Sequence, residues 1–245
     1  MLVHIIIFEE EQKMKKVLGI VLSLGLLVSL AGCGSQPAAA PKAEVKAPVL
    51  YHGSGIVANY RDNSAKGANK DNLNVTTASV VFDQAGKIVD LDWDVLEITP
   101  EEFPGWMDPK SADAAKAPYL AAQKEGFDWK SKVDMGNDYG MKAAAASKKE
   151  WFEQMEFYED FFKGKTVAEV KAWAAKYTDA NGRPFKFAYP EKMTDADKAK
   201  TANFTAEEKK MLTDVTTGAT MSLQDVHSRF VESLEIAEKH KVEIK

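Results

Sequence analysis

One cysteine, Cys33, occurs in 245 residues. That scarcity excludes an internal disulfide, a Cys-x-x-Cys redox pair and any multi-cysteine zinc or iron–sulfur site. Histidine is nearly as rare: beyond Cys33 only His52, His227 and His240 occur, with no His-Glu-x-x-His and no paired metal spacing. His227 follows Asp225 too closely for the two to share one helix face. A Gly-x-Ser-x-Gly elbow, a P-loop and a Gly-x-Gly-x-x-Gly are all missing, which leaves hydrolase and nucleotidase readings without support. Positive charge is not in excess. Lys+Arg 32 against Asp+Glu 37 gives a net charge of -5, the wrong sign for coating nucleic acid. With 45% apolar and 28% charged residues, the remainder has the balance of a globular protein.

Long apolar runs are also scarce, and the one present is short. Met14-Lys15-Lys16 precedes the apolar run Val17–Leu30, which ends in Leu30-Ala31-Gly32-Cys33. The run falls short of the roughly 20 residues a spanning helix needs. A basic start, an apolar core and small residues before a cut site describe a secretory signal. The last four residues resemble the bacterial lipobox, which would make Cys33 a lipidated N-terminus; a plain signal with an incidental cysteine is the alternative. Glu9, Glu10 and Glu11 sit where a signal carries positive charge, so translation from Met14 is expected, with 1–13 a start-site artefact. The expected organisation is therefore a signal over 1–32, an Ala/Pro-rich tether over 33–48 and a folded domain over 49–245.

Within that domain Val49–Tyr60 reads as a strand with a bend or bulge at Gly53 and Gly55. Val75–Phe82 and Lys87–Glu97 flank Asp83-Gln84-Ala85-Gly86 as a β-hairpin. Asp90, Asp92 and Asp94 alternate with Leu91, Trp93 and Val95, placing three carboxylates on one strand face. A solvated face or a cation site would explain them. Ile98 to Met135 reads as irregular, with one short helix around 114–124. Ser147 is the expected cap of a helix to Phe162, stopped by Gly164. Its stripe Trp151, Met155, Tyr158 and Phe162 suits core packing or an aromatic surface beside a flavin. Thr166-Val167-Ala168-Glu169 opens a helix to Tyr177, and Thr205-Ala206-Glu207-Glu208 a short one to Leu212. Ser222 is the expected cap of a last helix over 223–240. Strands followed by helices predict an α+β fold with an antiparallel sheet.

Between the last two expected helices stands Asp214-Val215-Thr216-Thr217-Gly218-Ala219-Thr220-Met221-Ser222. The small residues and Gly218 predict a tight turn with an exposed Thr220 hydroxyl. At the start of the following helix, free N–H groups and the helix dipole would favour a phosphate there.

The stretch resembles the flavinylation motif Asp-x-x-(Ser/Thr)-Gly-Ala-Thr of FMN-binding domains in the Rnf electron-transport complex and the sodium-pumping NADH:quinone reductase. Asp214, Thr217, Gly218, Ala219 and Thr220 match every specified position. The resemblance implies FMN joined to Thr220 by a phosphoester, attached by a flavin transferase that uses FAD and magnesium. Met135-Gly136-Asn137-Asp138-Tyr139-Gly140-Met141, with Trp151-Phe152-Glu153-Gln154, is similar to FMN-domain lipoproteins of Gram-positive extracellular electron transfer. It implies that Gly136, Tyr139, Gly140 and Met141 line the flavin, although a structural turn into the next helix would also explain them. The likeness is weak over the early hairpin and absent over the proline-containing excursion. A lipid on Cys33 would replace the transmembrane anchor of the Rnf subunit.

The expected function is a lipid-anchored electron carrier on the outer face of the cytoplasmic membrane, more a redox subunit than a stand-alone enzyme. A membrane quinol or NADH dehydrogenase would supply its electrons. A lipoprotein binding a small molecule or free flavin non-covalently is one alternative, and a non-redox envelope scaffold another.

Overall fold

Three long strands in succession, β1 (Tyr51–Arg61), β2 (Asn72–Phe82) and β3 (Ile88–Ile98), open the compact unit that spans Ala47–Lys245. The computed structural model describes residues 47–61, 72–98, 129–224 and 228–245. Cys33, the expected signal and most of the tether, the expected helix at 114–124, and Asp225, Val226 and His227 lie outside them. Among the described residues six α-helices follow the strands: α1 (Lys132–Met135), α2 (Trp151–Phe162), α3 (Val167–Tyr177), α4 (Asp195–Lys200), α5 (Ala206–Gly218) and α6 (Phe230–Lys239). A short β4 (Val242–Glu243) closes the chain, giving an antiparallel sheet of order β3-β2-β1-β4 and an α+β fold. Among the described residues no helix is long and apolar enough to cross a membrane.

The hairpin forms where its turn residues demand it. Asp83 Oδ1 accepts the N–H groups of Ala85 and Lys87, both at 2.8 Å, and Gly86 takes the φ of 76° that closes the turn. Alternation along β3 then buries Leu91, Trp93 and Val95 and turns Asp90 and Asp92 outward. Asp90 pairs with Lys163 (3.2 Å), while Asp94 accepts the N–H groups of Val95 and Val133. Among the described residues, no group of three His, Cys, Asp or Glu side chains is placed to hold a metal ion.

The inward sheet face meets the stripe of α2, where Trp151, Met155, Tyr158 and Phe162 are buried, as core packing requires. Trp93 sits at the centre, edge-on to Phe162 and tilted on Phe230, with its indole N–H donated to Ser233 Oγ at 3.2 Å.

Several boundaries differ from expectation. β1 pairs with β2 residue for residue from Tyr51↔Phe82 to Arg61↔Asn72, so Gly53 and Gly55 make no bulge. They let α6 lie against the strand: a Cβ at Gly55 would sit 1.8 Å from the Ser233 carbonyl oxygen. Glu150, not Ser147, caps α2, its N–H donated to Glu153 Oε2 at 2.7 Å. The capping boxes at Thr166 and Thr205 stand where predicted, and Gly164 stops α2 with φ 80°. However, α5 continues past Leu212 to Gly218, and α6 begins only at Phe230.

Glu159 of α2 crosses to the sheet edge, where its Oε1 accepts the Trp93 N–H at 2.8 Å. Burial pushes its carboxyl up to about 8; the Trp93 bond and Lys163 oppose the shift, and Asp92 and Glu156 add to it. A carboxyl raised on folding holds a proton that the unfolded chain releases. Stability therefore falls as pH climbs from about 5 to about 8, by on the order of 3 kcal/mol after a discount for remaining solvent contact. Glu159→Gln keeps the acceptor and cannot ionise. Urea titrations at pH 5 and pH 8 should show the loss in the wild type and a flatter response in the variant. Parallel responses would refute this assignment.

Candidate functional site

The motif does not lie in the turn predicted for it. Asp214, Thr217 and Gly218 belong to the last turns of α5, Asp214 and Thr217 on its exposed side. Asp214 pairs with Lys210 at 3.1 Å, and Thr217 Oγ1 donates to the Asp214 carbonyl at 2.7 Å. Gly218 is required for packing, since a Cβ there would lie 2.3 Å from ring carbons of Phe157 on α2. Gly218→Val should therefore cost roughly 1–3 kcal/mol by overpacking. Adding Phe157→Ala should return part of that loss in a double-mutant cycle read by denaturant unfolding. Additive losses would contradict this.

After Gly218 the chain runs extended, with Ala219 at φ -150° and ψ 143°. The next residues form a strap tied down at nearly every step. The Ala219 N–H closes onto Val215 O (2.8 Å). The Thr220 N–H goes to Gln154 Oε1 (2.9 Å). Met221 O accepts the Tyr158 hydroxyl (2.9 Å), Ser222 Oγ donates to Asn181 O (2.5 Å), and the Leu223 N–H bonds Gly182 O (2.9 Å). Among the described residues no helix opens directly after Ser222, and Arg229 stands at the N-cap of α6. Thr220 is not at a helix N-terminus, and the expected phosphate site on the helix dipole is overturned. The Thr220 hydroxyl is not broadly exposed either: the residue is 8% accessible and donates through Oγ1 to Gln154 Oε1 at 3.2 Å.

The glycine-containing loop precedes α2 in the chain. Gly136 and Gly140 have φ of 51° and 72°, values that favour glycine, so the loop's turns by themselves require them. Tyr139 donates its hydroxyl to Glu97 Oε2 at 3.3 Å, and that carboxylate also pairs with the buried Lys132 at 2.7 Å. The Lys132 ammonium lies 4.9 Å from the Tyr139 ring centre and 5.7 Å from that of Trp151. Burial alone would lower Lys132, but Tyr139 and Glu97 hold it above its usual value. Burial raises the Tyr139 phenol, with Lys132 acting in the opposite direction. Met141 packs against the core, and the Lys142 N–H donates to Glu150 Oε2 at 3.2 Å. The two segments thus converge on the first turns of α2, one through Glu150 and Trp151, the other through Gln154.

Sequence reasoning gives Gln154 no role of its own, although a signal for one exists. It stands three residues after Trp151 and four before Tyr158, inside an apolar stripe. A polar side chain there must find partners.

FMN on Thr220 is compatible with these surroundings. The hydroxyl donates to the neutral amide of Gln154, a group that carries no charge to repel a phosphate. Lys149 belongs to the same neighbourhood: its carbonyl accepts Gln154 Nε2 at 3.1 Å, and its ammonium lies 5.7 Å from the Phe157 ring that covers Gly218.

No protein-family model matches the chain, and no solved structure does. The chain is similar to a chlorophenol reductase of Desulfitobacterium hafniense, 63% identical over 196 residues that make up 80% of this chain. The match spans 59% of that relative's length.

Proposed function

We propose that the protein carries electrons through an FMN joined to Thr220 by a phosphoester, held outside the cytoplasmic membrane by a lipid on Cys33. The observation that carries this reading is the complete motif from Asp214 to Thr220, with its final threonine on a pinned strap. Bound FMN would supply one- and two-electron chemistry. The chain's own residues would anchor it. Thr220 would supply the attachment oxygen, and the Gly136–Met141 loop an aromatic neighbour in Tyr139. Attachment matters because outside the cell a dissociated flavin is lost, whereas a tether makes rebinding intramolecular. A quinol or NADH dehydrogenase in the membrane would reduce the carrier. The name of the relative suggests the destination: reduction of an organic acceptor of the chlorophenol kind.

The test is intact-mass analysis of protein coexpressed with a flavin transferase. The mass should rise by that of FMN less one water, and yellow colour should survive denaturation. No gain despite an active transferase would refute the proposal.

A groove of about 300 Å³ on the outer sheet face favours a second reading. It is lined by Ser54, Ile56, Thr77, Ser79, Asp92 and Val133, among others, and would suit a lipoprotein that binds a small ligand non-covalently. Colour or ligand lost on denaturation would select it.

A further inference from the structure

The side chain that holds the Thr220 hydroxyl also fixes the direction in which its proton lies. Gln154 is fully buried on α2. Its Nε2 donates to the Lys149 carbonyl at 3.1 Å, a group that can only accept, so the orientation of the amide is set. Oε1 therefore faces the strap and accepts twice from one residue, from the Thr220 N–H at 2.9 Å and from its O–H at 3.2 Å. With the proton committed to Gln154, the Oγ1 lone pairs point away from it. The two donor-to-carbonyl links also join Lys149, just before α2, to the threonine motif.

We propose that Gln154 is the positioning residue for modification of Thr220, an inference that rests on the flavinylation reading above. In the transfer, Oγ1 attacks the phosphorus of the FMN half of a flavin adenine dinucleotide. The Oγ1–P bond forms and the pyrophosphate P–O bond breaks. AMP leaves with the electron pair of that bond, the hydroxyl proton passes to a base of the transferase, and nothing is oxidised or reduced. Gln154 cannot take the proton. It holds the backbone and the hydroxyl of one residue on one oxygen, so that the nucleophile has a single orientation when the dinucleotide arrives. After esterification Oγ1 has no proton, and the contact with Oε1 becomes one between two acceptors. Only the backbone bond then remains attractive, so the modified side chain is released from Gln154.

The experiment follows mass gain over time on the full chain with FAD, magnesium and a flavin transferase. Gln154→Leu, similar in volume but without an acceptor, should slow labelling about 10²-fold, in the rate at saturating FAD rather than in half-saturation. Gln154→Glu can donate to Lys149 and accept from Thr220 only when protonated. Its rate relative to wild type should therefore recover as pH falls. Phe162→Leu, at the far end of the same helix, serves as a control that lowers stability while leaving Gln154 in place, and should label at the wild-type rate. An unlabelled wild type would overturn the underlying reading. A labelled wild type with Gln154→Leu equally fast, or with Phe162→Leu equally slow, would overturn the role of Gln154 alone. Should Gln154→Leu fail to fold, a pH-independent rate ratio for Gln154→Glu would overturn it.

Discussion

Alanine at Gly55 should lower the melting temperature by roughly 10 °C. The added Cβ would stand 1.8 Å from the Ser233 carbonyl oxygen and 2.8 Å from its carbon. Both are backbone atoms of α6, so no side chain can rotate aside. Relief requires lifting the helix, and Ser233 is also where the buried Trp93 indole finds its hydrogen-bond partner. Moving α6 therefore loosens the centre of the core as well as the strand contact. Overpacking of this severity costs about 3 kcal/mol or more, and each kcal/mol shifts the midpoint by about 2–4 °C in a domain of this size. Gly53→Ala should behave similarly, its Cβ falling 2.1 Å from the Ala237 carbonyl oxygen. Ser54→Ala, exposed on the opposite face of the same strand, should have almost no effect. Thermal unfolding followed by circular dichroism checks the set. A Gly55→Ala midpoint within about 2 °C of wild type, less than 1 kcal/mol on the same scale, would show that α6 does not rest on β1 as described.

The two glycines also mark how far local reading extends. A glycine inside a strand signals either a bend or a close approach, and the sequence around Gly53 and Gly55 cannot separate the two. The deciding partner, Ser233 to Ala237, lies at the other end of the chain. What depends on neighbouring residues was legible. The Asp83–Gly86 turn, the capping boxes at Thr166 and Thr205 and the apolar stripe of α2 all stand as expected. What depends on tertiary partners was not. Ser222 and Thr220 have the composition of a helix entry, yet their hydrogen bonds go to Asn181 and Gln154, so the segment is held extended and α6 starts later. The same limit applies to Gly218, whose value is the room it leaves for Phe157 rather than any turn.

Valine at Thr220 should abolish covalent flavin while leaving the fold intact. The substitution preserves β-branching and the backbone N–H, so Gln154 Oε1 keeps its shorter bond and loses only the one from Oγ1. The stability loss should stay near about 1 kcal/mol. Attachment, by contrast, has no second oxygen to use in that place. The segment offers two rival threonines, which makes the outcome informative. Thr216 is fully buried, its hydroxyl donating to Leu212 O at 2.7 Å and accepting from the Ala188 N–H at 3.2 Å, so it is out of reach. Thr217 is exposed on α5, and accessibility alone would make it the acceptor. The phosphoester is instead expected on the less accessible Thr220, because its oxygen is oriented by Gln154 on a pinned strap. Peptide mapping after coexpression with the transferase should place the FMN mass on Thr220 in the wild type and in Thr217→Ser, and nowhere in Thr220→Val. Flavin found on Thr217, or a mass gain that survives Thr220→Val, would show that exposure rather than orientation selects the hydroxyl.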